Sequence, residues 1–241
     1  MKGYRVLVPV LLLASIPAAG SPDDLLASAK LFADSSTIKA TIEMSIARRD
    51  GTKARTLELF MSVPGDGSAK ALARVKSPEF LRNMKMLKLR DAAGKSDTWI
   101  KTSQGVRRIA EGGADEPLFD SDFTAADLGG FDRGRFTARA LESEDGLAWL
   151  SALPTRGSEW AELRIGLERD TRLIARIDYI LKDGSVGKRY RLLERQELGG
   201  SVSTRSCAME NLKKGSVTTL TITGMELDAA IPDSVFSKGS L

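Results

Sequence analysis

Apolar and polar residues alternate along most of this chain. Ile42, Met44 and Ile46 interleave with Thr41, Glu43 and Ser45, and Leu57, Leu59, Met61 and Val63 repeat the period beyond Asp50-Gly51. A period of two sends successive side chains to opposite faces, so these runs predict a hairpin with one oily face. Pro64-Gly65-Asp66-Gly67 turns the chain again, and residues 71–75, 84–89 and 98–101 predict three further strands. The pattern resumes over 135–142, 159–168, 173–181, 188–196, 203–209 and 216–226, with Asp170, Asp183-Gly184, Gly199-Gly200 and Lys214-Gly215 as punctuation.

Two stretches break the alternation. Ser21-Pro22-Asp23-Asp24 supplies a cap, a proline at the first helical position and acids at the positive end of the helix dipole. Leu25, Leu26, Ala29 and Phe32 follow at helical spacing, which predicts a short amphipathic helix ending near Asp34. Residues 111–132 are rich in Gly, Asp and Ala and carry Pro117, Phe119, Phe123 and Phe131. Within them Thr124-Ala125-Ala126-Asp127 fits a capping box, predicting one helical turn over 122–128. So long a connection inside a compact domain is commonly functional or disordered.

Residues 1–20 read as an address. Lys2 and Arg5 precede an apolar run over 6–16, and Ala18-Ala19-Gly20 offers small side chains to a signal peptidase, with cleavage expected after Gly20. The run is shorter than the roughly 20 residues that span a bilayer. Export with removal of this segment is the expectation, leaving residues 21–241 as a single domain.

About eleven strands make more sheet than can lie flat. With so few helices, the expected fold is mainly β with few helices (α+β). It is a strongly curved antiparallel sheet, an incomplete β-barrel whose open side takes helices as lid or plug. Its expected apolar lining is Ile42, Met44, Ile46, Leu57, Leu59, Met61, Met84, Met86, Trp99, Leu163, Ile165, Ile177 and Tyr179, with Phe123 nearby. Methionines suit changeable apolar partners. Alternation alone does not distinguish a lined cavity from a packed core.

Composition narrows the chemistry. The chain has no histidine, which removes Ser–His and Cys–His pairs and His-ligated metals. Its one cysteine, Cys207, cannot form an intrachain disulfide or a multi-thiolate site and is expected to be an inert thiol. Lys and Arg exceed Asp and Glu by only 36 to 32, without a basic block, so nucleic acid is not an expected partner. No cofactor is expected, and no enzyme activity. Arg107 and Arg108, directly after the Trp99 strand, are candidates for contact with a head group or a protein partner. Asp120, Asp122 and Asp127 lack calcium-loop spacing and are expected to be solvated or capping. Glu142, Glu144 and Asp145 form an acid cluster without a partner base.

Several motifs in order resemble the outer-membrane lipoprotein-sorting protein-like family, related to the LolA/LolB periplasmic lipoprotein carriers. They are Thr98-Trp99-Ile100, Gly105-Val106-Arg107-Arg108-Ile109, and Phe119-Asp120-Ser121-Asp122-Phe123-Thr124-Ala125-Ala126-Asp127-Leu128. The likeness continues through Asp183-Gly184 with Lys188, Met209-Glu210-Asn211 before Thr218-Thr219-Leu220, and Ile231-Pro232-Asp233-Ser234-Val235-Phe236. Lys101 and Ser103 stand where the family tends to have Tyr and Pro, and Asp120, Ala125 and Ala126 replace its usual Gly, Tyr and Glu. The resemblance implies an unclosed curved sheet holding acyl chains of lipids or lipoproteins, moved between inner and outer membranes with transient membrane contact. It further implies an association with inner-membrane transporters of the resistance–nodulation–division type. The competing expectation is a periplasmic sensor or interaction module of the same fold that binds a membrane-protein partner.

Overall fold

A computed structural model describes residues 21–109, 116–127, 135–142, 144–155 and 158–241. The signal-peptide reading of residues 1–20 and part of the 111–132 segment, Leu128 and Phe131 included, lie outside the described residues.

Helix α1 (Pro22–Ala27) opens with the expected Ser21 cap, and Asp24 reciprocates by accepting the Ser21 N–H. It stops well before Asp34. The Ser28 hydroxyl donates to the Leu25 carbonyl at 2.7 Å, and Lys30 leaves the helix to exchange backbone hydrogen bonds beside Leu173. Leu26 is buried, and the Asp23 carboxylate accepts the Ala138 N–H at 2.8 Å.

Thirteen strands follow. They are β1 (Thr37–Arg48), β2 (Gly51–Ser62), β3 (Ala69–Ser77), β4 (Lys85–Arg90), β5 (Ser96–Thr102), β6 (Gly105–Ile109) and β7 (Phe136–Ala140). The chain continues through β8 (Leu147–Pro154), β9 (Trp160–Glu168), β10 (Ile174–Leu181), β11 (Val186–Leu198), β12 (Ser201–Asn211) and β13 (Ser216–Leu227). The alternation pattern passed over β6 and β8. The first is five residues with four of them exposed; the second buries Leu150, Ser151 and Ala152 in succession, which erases the period.

The strand order is β6-β5-β4-β3-β2-β1-β13-β12-β11-β10-β9-β8-β7, antiparallel at every step. Two meanders are thus joined where β1 pairs with β13, and the edges are β6 and β7, consecutive strands that do not pair. The sheet is not closed. Ile100 on β5 and Leu150 on β8 nevertheless belong to one core. Flat, those strands would lie roughly 50 Å apart at the usual spacing, so the sheet curls around a common interior.

A smaller cluster occupies the other face. Phe60, Leu72, Leu87 and Trp99 pack there under Phe236 and Leu241. Lys238 stands over the Trp99 ring at 4.6 Å, while Lys85 and Lys101 donate to the Ser240 and Leu241 carbonyls at 2.6 and 2.9 Å. Among the described residues α1 is the single α-helix, so the expected helical cover reduces to six residues plus irregular chain.

Candidate functional site

Directly opposed residues of an antiparallel pair share a face. Ile38, Ala40, Ile42, Met44 and Ile46 on β1 oppose Met61, Leu59, Leu57, Arg55 and Lys53 on β2. All five β1 residues are buried on the inner face, so their β2 partners point inward as well. Across the hollow, Leu163, Ile165, Ile177 and Tyr179 do the same from β9 and β10. Met86 is fully buried in this core, and Met61 and Met84 pack against it half-buried.

Trp99 must be corrected. The register sets Met86 opposite Ile100 and Leu87 opposite Trp99, so when Met86 faces inward Trp99 faces out. It sits in the second cluster, away from the hollow.

The interior is filled from the connection between the two sheet edges. Leu118, Phe119, Phe123 and Ala125 are buried in the main core. Three aspartates fasten this segment in chain order to successive strands. Asp120 meets β1 and β2: the Arg48 Nη2 donates to its carbonyl at 2.6 Å and its carboxylate at 2.8 Å, and Lys53 Nζ reaches the carboxylate at 3.3 Å. Asp122 meets β13, accepting from the Ser216 and Thr218 hydroxyls at 2.6 and 2.8 Å, while its N–H donates to Thr218 at 2.9 Å. Asp127 meets β11 and β10, with Lys188 Nζ at 2.6 Å and the Tyr179 hydroxyl donating at 2.5 Å. These contacts fall near the ends of β1 and β10 and the starts of β2, β13 and β11, on one rim of the curved sheet. On the opposite rim, Thr204 Oγ1 donates to the Leu31 carbonyl at 2.5 Å and Ala33 N–H donates to Ser203 Oγ at 3.1 Å.

The expectation of solvated aspartates therefore holds in part. Asp127 does cap its turn, its carboxylate accepting the Thr124 N–H at 2.7 Å. Asp122 is buried and bonded, not solvated. Burial pushes the Asp127 carboxyl up, but Lys188 and Tyr179 overcome this and hold it below the ordinary carboxylate range. Asp120 is likewise held low against a smaller burial effect, by Arg48 and Lys53.

Beneath the segment remains a cavity of about 60 Å³, lined by apolar Phe123, Trp160, Leu163, Ile174, Ile177 and Met209 and by polar Asp127, Tyr179, Lys188 and Tyr190. Burial pushes the inward-facing Cys207 thiol up to about 12.

Arg107 and Arg108 lie on the exposed edge strand β6, each already joined to a carboxylate, Glu116 and Asp97 respectively. The basic cluster that reading missed is Arg48, Lys53 and Arg55, gathered around Asp120. Its signal was available: extending the inward parity of Met44-Ile46 and Leu57-Leu59 to the hairpin tip lands on these three residues. Among the described residues no group of His, Cys, Asp or Glu is arranged to hold a metal ion, and no helix is long and apolar enough to cross a membrane.

This architecture recurs in solved structures. A domain described as an outer membrane lipoprotein-sorting protein from Vibrio parahaemolyticus is 18% identical, with a TM-score of 0.80 over 90% of this chain and 94% of that one. A DUF1329 family protein from Desulfovibrio piger is 20% identical, with a TM-score of 0.80 over 92% and 99% of the respective chains. A LolA superfamily protein from Nitrosomonas europaea is 17% identical, at 0.72 over 92% and 100%. No curated protein matches the chain. The chain thus shares the fold of these structures, the LolA superfamily protein among them. A family model described as "-like: Uncharacterized protein" matches residues 67–241, and the chain belongs to that family.

Proposed function

We propose that this protein is a periplasmic carrier whose hollow takes an acyl chain of a lipid or lipoprotein and moves it between the inner and outer membranes. One observation carries the reading: the interior of the curled sheet is filled by a connecting segment held through side-chain bonds, so it can be exchanged for a ligand. A sixteen-carbon chain left in water costs roughly 13 kcal/mol at about 0.8 kcal/mol per methylene. The present cavity is far too small for one, so loading requires residues 116–127 to withdraw. Leu118, Phe119 and Phe123 would then lose burial as the hydrocarbon gains it. This exchange lowers net affinity and lets cargo leave at the receiving membrane.

The signal-peptide pattern of residues 1–20 supports the periplasmic setting. Contact with the bilayer is transient, at loading and release, and an inner-membrane transporter of the resistance–nodulation–division type is the proposed donor partner. The test is titration of a fluorescent fatty acid into the purified protein, expected to saturate at one per chain. Leu59→Asp and Met86→Asp should abolish binding with the circular dichroism spectrum retained. Phe123→Ala, which enlarges the hollow without adding charge, should tighten it. Saturable binding that ignores all three changes refutes the hollow as the site.

The interaction-module reading draws on a different feature, the unpaired edge β6 with exposed Val106. It predicts a tight protein complex with no lipid in native mass spectrometry, and loss of that complex on Val106→Pro.

A further inference from the structure

Arg55 is an anomaly. Its side chain is only 6% exposed, and its Nε and Nη1 have no hydrogen-bond partner among the described residues. Asp120 is its one ion-pair partner described, and the approach is long, 3.6 Å from Nη2. Leaving a charged donor buried and unbonded costs stability, and proteins keep such arrangements at sites where something else binds.

The surroundings favour an anion. Arg48, Lys53 and Arg55 converge on the single carboxylate of Asp120; Asp50 and Asp122 also act on Arg48, whereas Asp120 is the one acid that acts on Arg55. Asp120 itself is half exposed and is the easiest member to displace. Phe119 and Asp120 both have positive φ, 52° and 59°, a conformation that non-glycine residues adopt at a cost. Withdrawal of the segment relieves that cost and uncovers three cations. A carboxylate offers two coplanar oxygens; a phosphate offers three or four in a tetrahedral array, which suits two guanidinium forks and an ammonium arriving from different strands.

We propose that Arg48, Lys53 and Arg55 form a phosphate-binding site that takes the phosphate group of an acylated ligand in exchange for Asp120. Binding there releases one end of the segment that fills the hollow. This rests on the carrier reading for its acyl half, but the anion site stands or falls separately.

Three probes separate the possibilities: dodecyl phosphate, dodecanol and inorganic phosphate, each titrated by Trp160-dependent fluorescence and calorimetry. Dodecyl phosphate should bind at least about tenfold more tightly than dodecanol, as expected for one or more charge-assisted hydrogen bonds. Lys53→Gln and Arg48→Gln, changes at partly exposed positions, should erase that preference without weakening dodecanol binding. Asp120→Asn, which removes the competing carboxylate, should strengthen dodecyl phosphate binding several-fold. Inorganic phosphate binding with the same dependence on Lys53, and no alkyl preference, would support the anion site with free phosphate as its source and sink the carrier reading. Equal affinity for dodecyl phosphate and dodecanol would overturn the anion site and spare the carrier. Failure of all three probes to bind, in Asp120→Asn as well, would overturn both.

Discussion

The two ends of the segment that fills the hollow are built from the same residue type and obey opposite economies. At Asp127 one buried carboxylate meets one buried ammonium, with side chains 7% and 5% exposed, and a tyrosine hydroxyl completes its bonding. At Asp120 a half-exposed carboxylate serves three cations, one of which is buried and under-bonded. A balanced buried pair is expensive to break, because each partner left alone is an uncompensated charge out of water. An over-supplied, solvated carboxylate is cheap to release. For the proposed loading movement, the contrast makes the Asp127 end the hinge and the Asp120 end the place where opening starts.

The sharpest way to break this comparison is to delete the cation at each end. Lys188→Met should cost about 3–5 kcal/mol of unfolding free energy, measured by denaturant titration, because Asp127 is stranded. Adding Asp127→Asn should return part of it. Arg55→Met replaces an under-bonded buried cation with an apolar chain against Met44 and should change stability by less than about 1 kcal/mol, or raise it. Equal losses at the two positions would erase the distinction. Asp122→Ala, between them, should cost about 2 kcal/mol, since the buried Ser216 and Thr218 hydroxyls lose a charged acceptor.

Acid should find the same asymmetry. The Asp127 carboxyl is held below its ordinary value, so its contribution is complete above the unfolded value of about 4 and is lost as pH falls through the lower folded value. Stability should therefore drop below about pH 4, and the Lys188→Met/Asp127→Asn double variant should show a shallower acid limb. Asp120, also held low but half exposed, should contribute little, and Asp120→Asn should leave the limb nearly unchanged.

Much of this was legible in the sequence, for a definite reason. A half-buried antiparallel strand writes its burial into alternate residues, so β1 and β2 could be read with their inward faces. Where both faces are covered the code fails. Trp99 looked inward because it is large and apolar, but the chain end covers the outer face of β3–β5 and gives apolar residues a second place to go. Likewise β8 is buried at consecutive positions and left no period to detect. The three aspartates were visible as residues and opaque as partners, since Lys188, Thr218 and Arg48 meet them across separations of 61 to 96 residues that only the sheet order brings together. The positive φ at Asp120 accounts for one departure from the resembled family's pattern: glycine adopts that conformation freely, and Asp is among the few other residues that tolerate it. In exchange the chain gains the carboxylate that Arg48 and Lys53 hold.

Cys207 offers the finest test of which end yields first. Its thiol faces the core from β12, next to Leu192 and Leu220 in the ladder, and burial pushes it up to about 12. At pH 8 the folded protein should react with a thiol reagent only through openings that hydrate this core, so the labelling rate reports their population. Lys53→Gln removes one of three cations from a half-exposed carboxylate and should change the rate less than about threefold. Lys188→Met loosens the buried end beside Tyr190, which shares its strand face with Lys188, and should raise the rate at least about tenfold at a denaturant-free condition where both variants remain folded. The reverse ranking would mean that the Asp120 end, not the Asp127 end, keeps water from the core. The roles of hinge and opening point would then have to be exchanged.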